Sequence, residues 1–140
     1  MNAYLGRRYR LSASHRLHTE ALSEAENRRV YGKCANPHGH GHNYIVEVLV
    51  GGELDGVTGM VTDLVELDAS VKCTVLEPFD RQNLNTLECF LDRVPTTENL
   101  CMEIERRLRS ALPAKLSLAV RVEETSNNSF ETAGDRLRLG

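Results

Sequence analysis

Residues 38–50 read HGHGHNYIVEVLV, a histidine-rich segment that continues directly into an apolar, β-branched one. The second part is typical of a strand, which we expect over residues 43–50, before a Gly-Gly pair. Because side chains in an extended chain alternate between two faces, His40 and His42 can point the same way, about 6.5 to 7 Å apart. Two imidazoles on one face of a strand form a two-ligand platform for a metal.

A second alternating segment, residues 9–17, supplies a third histidine. Its odd positions are apolar or aromatic apart from His15, and its even positions are arginine or serine, which is the pattern of a half-buried strand. His15 therefore lies on the buried face. Three imidazoles that leave a fourth position to water or substrate describe a catalytic zinc site. An exposed histidine-rich loop and one hydrogen-bonded core histidine would give the same pattern, and spacing alone leaves both interpretations open.

Length and composition indicate an ordinary globular protein. The 140 residues are expected to form one domain, spanning residues 1–140. No apolar run is long enough to span a membrane and no signal peptide is evident, so a soluble protein is expected. The four cysteines lack a tight framework spacing and are interpreted as thiols in a reducing cytoplasm. A net charge of −3 argues against nucleic acid as a partner, although arginines crowd the first thirty residues and indicate either an anionic ligand or a solvated face.

The middle of the chain predicts a turn, a short strand around residues 60–62 and then two helices. Apolar residues at helical spacing follow Asp63, which with Glu66 resembles a capping box, and this helix should end before Pro78. A second helix should begin near residues 96–98 and end at Pro113. Cys73 and Cys101 fall within these helices and are expected to pack in or near the core.

The last predicted strand ends on a carboxylate. Residues 116–122 alternate with apolar side chains on the even positions, and Glu124 continues that row while Glu123 faces the other way. A carboxylate on a core face is costly unless it is paired, so Glu124 is expected to have a protein or ligand partner. A position just past the strand end, in water, is equally compatible with the pattern.

Four blocks of the sequence, in order, resemble the signatures of the 6-pyruvoyl-tetrahydropterin synthase family. They are SASHRL at residues 12–17, YGKCANPHGHGHNY at 31–44, TTEN at 96–99 and ETSNN at 124–128. The spacing of the cysteine from the His-Gly-His-Asn-Tyr run is highly specific, and the match covers nearly the whole chain. The sequence is therefore identified as a member of this family.

The resemblance implies an α+β architecture, the tunnelling or T-fold. It comprises a four-stranded antiparallel sheet with two helices packed on one face. Three subunits join their sheets into a barrel, and two such trimers form a homo-hexamer with active sites at subunit interfaces. It also implies the site residues: zinc ligands at His15, His40 and His42, a catalytic cysteine at Cys34, a pterin-anchoring glutamate at Glu124, and Thr96, Thr97 and Glu98 in the same recognition region.

The implied reaction converts 7,8-dihydroneopterin triphosphate to 6-pyruvoyl-tetrahydropterin and eliminates triphosphate, a carbon-oxygen lyase reaction. One position departs from the family pattern: where an Asp-His pair usually assists the cysteine of a neighbouring subunit, residues 78–84 read PFDRQNL. Asp80 can carry protons, whereas Arg81 stays protonated and can act through its charge alone. Two alternatives remain: the 6-carboxy-tetrahydropterin synthase of queuosine biosynthesis, and a non-catalytic protein that binds zinc and pterin.

Overall fold

The computed structural model describes residues 2–132 as one twisted sheet with helices against one face. Two 14-residue strands, β1 and β2, form its centre, and the longest helix, α4, follows a series of short elements. The bounds in chain order are β1 Asn2–His15, α1 Glu24–Tyr31, β2 His40–Glu53, α2 Leu64–Val71, a π-helical turn Lys72–Leu76, α3 Glu77–Phe79, β3 Gln82–Asn83, α4 Thr97–Ala111, β4 Ser117–Thr125 and β5 Asn128–Glu131.

The sheet has the strand order β3-β1-β2-β4-β5, and every pairing is antiparallel except the two-residue contact of β3 with β1. The predicted α+β class is confirmed, with one strand more than the four expected. The additional pairing comes from β5, which forms a hairpin with β4. The strand expected around residues 60–62 is not formed, because the Asp55 carboxylate accepts bonds from the Val57 and Thr58 amides and closes this segment into a loop.

The core lies between one sheet face and the helices. The alternation predicted for β1 is observed, with Leu11, Ala13 and His15 buried and the intervening positions more exposed. The helix-covered face continues through Val46 and Val48 of β2, and α4 buries its own apolar stripe against it. Residues that lie directly opposite each other on paired strands point to the same face of the sheet. The register of β1 against β2 therefore decides which side chains meet at the end of the sheet.

The first long helix does not stop before Pro78 as predicted. A π-helical turn, in which the Glu77 amide donates to the Lys72 carbonyl, shifts the hydrogen-bond register by one residue. Pro78 then sits in the first turn of α3, where its missing N–H is tolerated. Cys73 is exposed because it lies two residues after the buried Val71, on the opposite side of the helix, so its predicted core position is wrong, whereas Cys101 is buried as expected. Within residues 2–132, no helix is long and apolar enough to cross a membrane.

Candidate metal centre

The register of β1 and β2 brings three histidines together at one end of the sheet. His15 lies directly opposite His40, and His42 lies two residues further on the same face. The ring centroids of His40 and His42 are 4.5 Å apart, and that of His15 is 5.3 Å from the first and 4.9 Å from the second. The structure thus brings together the three histidines that the alternation selected.

Cys34 joins this group from a short 3-10 turn, Gly32–Ala35. Its Sγ lies 3.1 Å from His40 Nε2, and its carbonyl accepts a 2.6 Å bond from the Leu17 amide, which ties the turn to the end of β1. Gly39 makes the close approach possible: its φ is 69°, and a Cβ there would lie 2.9 Å from the His15 carbonyl oxygen. The loop before β2 therefore needs glycine at this position to close over β1.

The donor set fits a divalent metal ion. One ligand atom from each of His15, Cys34, His40 and His42 lies within 4.8 Å of the others. His15 Nδ1 is 2.9 Å from the Pro95 carbonyl, which can only accept, so the proton of this imidazole is on Nδ1. The lone pair on Nε2 is buried and finds no hydrogen-bond partner among residues 2–132. A cation would supply the missing partner, and the carbonyl is the kind of outer contact that orients ligating histidines.

The electrostatics of the site favour neutral imidazoles. Burial lowers the pKa of both His15 and His42, which favours neutral rings that each offer one unprotonated nitrogen, as metal binding requires. Burial and the nearby Glu124 carboxylate raise the pKa of the Cys34 thiol. Protein groups alone therefore hold this thiol protonated, and a thiolate at Cys34 needs a cation beside it.

Glu124 faces the histidines from β4, which confirms that it has a partner. Its Oε1 lies 3.1 Å from His42 Nε2, and its other oxygen accepts a bond from the Thr97 hydroxyl. The side chain is 13% exposed, so the carboxylate is not fully enclosed by protein. Glu123 is partly exposed, and its side chain points to the face of β4 opposite that of Glu124, as predicted. Thr96 instead caps α4 by accepting from the Asn99 amide, and Glu98 is exposed in the first turn.

Asp80 and Arg81 lie beside β1 rather than in the histidine cluster. The Asp80 carboxylate accepts a 2.9 Å bond from the Ser12 amide. Arg81 has a φ of 60°, a left-handed conformation that is uncommon for a residue with a Cβ. It lines a shallow groove of about 520 Å³, whose other polar contributors include Ser12, Ser14 and Asn43.

Sequence reasoning missed the residues that orient the cluster. Tyr44, fully buried, places its hydroxyl 3.2 Å from His15 Nδ1. The Asn85 side chain accepts from the Arg16 amide at 2.7 Å and donates to the Arg16 carbonyl at 2.8 Å, which fixes the chain just after His15. Neither Asn85 nor Pro95 carries a local signal, because each acts on a residue at least 69 positions away.

Comparison with known proteins agrees with this geometry. The family model described as 6-pyruvoyl tetrahydropterin synthase matches residues 4–135. The 6-pyruvoyl tetrahydrobiopterin synthase of Poecilia reticulata is 48% identical over 133 residues, covering 94% of this chain and 90% of its own length. The human protein of the same name is 45% identical, covering 95% and 92%. The solved structure of Caenorhabditis elegans 6-pyruvoyl tetrahydropterin synthase superimposes with a TM-score of 0.88 at 39% identity, covering 94% and 95% of the two chains.

Proposed function

This chain belongs to the 6-pyruvoyl tetrahydropterin synthase family, and we propose that it converts 7,8-dihydroneopterin triphosphate to 6-pyruvoyl-tetrahydropterin with elimination of triphosphate. The reaction makes it a carbon-oxygen lyase of tetrahydrobiopterin biosynthesis. The observation that carries the proposal is the placement of a paired but not fully enclosed carboxylate, Glu124, directly against the three-histidine and cysteine cluster. Glu124 would recognise the pterin ring, and the histidine and cysteine cluster would act on the side chain of the pterin.

The metal assigned to the cluster is zinc, because imidazole nitrogens and a thiolate are its preferred ligands in proteins. When bound, it supplies Lewis-acid chemistry that acidifies the hydroxyls and adjacent C–H groups of a substrate side chain. His15, His40 and His42 would hold it. Their positions on two paired strands make the histidine arrangement rigid before substrate arrives.

Recognition of the pterin is assigned to Glu124 with Thr97. A carboxylate can accept two N–H donors from the amidine-like edge of the pterin ring in a bidentate arrangement. The Thr97 hydroxyl already donates to one oxygen, which holds the carboxylate in a single orientation. Thr96 contributes by fixing the first turn of α4, from which Thr97 projects, and Glu98 extends the same region toward solvent.

Cys34 is proposed as the group that removes and returns protons on the substrate side chain. Its thiol lies beside His40, in the only part of the cluster that is not held in a strand. Because burial and Glu124 raise its pKa, reactivity near neutral pH depends on positive charge close to the sulfur. Arg81 and Asp80 would supply charge and proton transfer from a neighbouring subunit, which makes the proposed homo-hexamer a requirement for activity. We place the protein in the cytoplasm, which suits its four free cysteines.

The decisive experiment is incubation of the purified, zinc-loaded protein with 7,8-dihydroneopterin triphosphate, with triphosphate release and product mass as readouts. Triphosphate release with the 6-pyruvoyl product is expected. Cys34→Ala should abolish turnover, whereas the matched variant Cys89→Ala, at a half-buried cysteine outside the cluster, should not. A 6-carboxy product would instead assign the related synthase reaction, and binding without triphosphate release would show a non-catalytic protein.

A further inference from the structure

The candidate metal centre presents four donor atoms, although the proposed reaction leaves one coordination position to the substrate. Cys34 Sγ and His42 Nε2 each lie 3.1 Å from His40 Nε2, and the set with His15 stays within 4.8 Å. A tetrahedral zinc ion with ordinary bond lengths has donor-donor separations of about 3.3 to 3.6 Å. The Cys34–His40 separation is shorter than this range and the widest separation in the set is longer, so small side-chain shifts would bring sulfur and the three imidazoles to the distances of a four-coordinate site.

Hydrogen bonds alone satisfy this group poorly. A neutral imidazole Nε2 either donates one proton or offers one lone pair, yet His40 Nε2 has two close partners, the Cys34 sulfur and His42 Nε2. His15 Nε2, with its lone pair free, has none among the described residues. A single cation at the centre of the four atoms would satisfy all of them at once.

The four ligands differ in how firmly they are held. The three histidines lie on β1 and β2, within an antiparallel pairing that continues from Asn2 to Glu53. Cys34 lies in a four-residue 3-10 turn and its side chain is half-buried. Rotation of the cysteine side chain breaks no strand pairing. The His15 side chain, in contrast, is buried and its Nδ1 is held by the Pro95 carbonyl and the Tyr44 hydroxyl.

On the basis of the proposed function, we propose that Cys34 is a fourth, exchangeable metal ligand, bound before substrate arrives and displaced by a hydroxyl of the pterin side chain. Binding of the metal breaks the S–H bond, releases the proton to solvent and forms a sulfur-metal bond. Substrate entry breaks that bond, forms an oxygen-metal bond and leaves a thiolate beside the substrate. No electrons are transferred. The exchange generates the proton-accepting group only when substrate is present.

Cobalt(II) substitution tests this exchange without reference to turnover. The protein reconstituted with Co(II) should show the near-ultraviolet absorption of a thiolate-to-cobalt charge transfer. Cys34→Ser should lose that absorption, keep a cobalt-histidine spectrum and bind metal at least about tenfold more weakly. Cys89→Ser, which removes a cysteine outside the cluster, should match the wild type. Neopterin, which carries the side-chain hydroxyls but no phosphate, should reduce the band as it binds.

Each result bears on a defined part of the proposal. Absence of the charge-transfer band in the wild type, or its persistence in Cys34→Ser, would show that sulfur is not a ligand. A band that neopterin leaves unchanged, although fluorescence shows neopterin bound, would exclude displacement. Triphosphate release measured on the same samples separates these outcomes from failure of the proposed function, since a three-histidine site could still be active. Circular dichroism confirms that the serine variant is folded.

Discussion

At the scale of single residues, Glu124 illustrates how a charge is kept near the core for use. Its carboxylate lies on the same parity as Val122 and Val120, which are fully buried, and it is retained there by Thr97 and His42. Removing a carboxylate from water is costly unless hydrogen bonds replace the lost hydration. The hydrogen bond from the Thr97 hydroxyl offsets part of that cost, and a bound pterin edge would offset the rest.

Replacing Glu124 with glutamine should therefore weaken pterin binding by about 1.5 to 3 kcal/mol, the range for a hydrogen bond to a charged group. Glutamine keeps the shape of the side chain but offers one acceptor oxygen and no charge. The measurement is the Kd of neopterin by fluorescence titration. Glu123→Gln is the matched control, because Glu123 pairs on the opposite parity of β4 and should leave Kd unchanged. Equal losses in the two variants would contradict the recognition role.

Metal content should depend on the three histidines of the cluster and not on the total number of histidines in the chain. The protein as isolated should carry about one zinc ion per chain, as one four-atom cluster allows. His40→Ala should lower zinc content sharply in elemental analysis after dialysis. His38→Ala removes an exposed histidine two residues away, outside the cluster, and should leave the content intact. Full zinc content in a variant lacking His15, His40 and His42 together would disprove the assignment.

The sequence predicts these site residues unevenly, for a physical reason. Strand alternation selects His15, His40 and His42 because a period of two is a local property of the backbone. The tautomer of His15 depends on the Pro95 carbonyl, 80 residues away, and the chain after His15 depends on Asn85. Such contacts follow from tertiary packing and leave no periodic trace, so only the structure reveals them.

At the scale of elements, β1 and α2 are joined by an ionic network at some distance from the metal centre. The Asp68 carboxylate accepts two bonds from the Arg7 guanidinium, at 2.9 and 2.8 Å, and a 2.6 Å bond from the Tyr9 hydroxyl. These bonds lower the pKa of Asp68 to about 2, with Arg7 as the largest contributor. The network connects α2 to the face of β1 that carries its odd-numbered residues, the last of which is His15.

The Asp68 network should contribute to stability in a pH-dependent way. Because the folded-state pKa is below the usual aspartate value, the contribution is complete above about pH 4 and disappears as the pH falls toward 2. Asp68→Asn should thus lower the free energy of unfolding at pH 7, measured by urea denaturation, and the difference from wild type should shrink in acid. Glu77→Gln, at an exposed carboxylate on α3, should show a much smaller difference with no such trend.

Helix and strand boundaries were predicted where local chemistry decides them. Asp63 caps α2 and Thr96 caps α4. Each precedes a run of apolar residues at helical spacing, which is the position expected of a capping residue. The π-helical turn at Lys72–Leu76 was not predicted, because Leu67, Val71 and Val75 keep one face buried and hide the extra residue. That turn is what allows the helix to pass Pro78 and deliver Asp80 to the edge of β1.

At the scale of the whole molecule, the sheet carries helices on one face, and the groove that contains Arg81 lies at the β3 edge of the sheet. The groove is lined by Ser12, Ser14 and Asn43 of the outward parity of β1 and β2, together with Ala13 and His42 of the helix-covered parity. Cys34 contacts His40, whose side chain lies on the face of the sheet that the helices cover. In the proposed hexamer, a second chain packed against this edge would meet Asp80 and Arg81.

If each active site takes Cys34 from one chain and Arg81 from its neighbour, two inactive variants should restore activity together. Cys34→Ala and Arg81→Ala, each expected to be inactive alone, are co-expressed with different tags and purified through both. Random assembly leaves about one site in four with both residues intact, so activity should recover to a corresponding fraction of wild type. Cys34→Ala with His40→Ala is the matched control, because these residues share one chain's cluster and no mixed site regains both. If mixed oligomers of Cys34→Ala and Arg81→Ala stay inactive, Cys34 and Arg81 serve the active site of the same chain. A monomeric mass measured by light scattering would exclude an active site shared between chains.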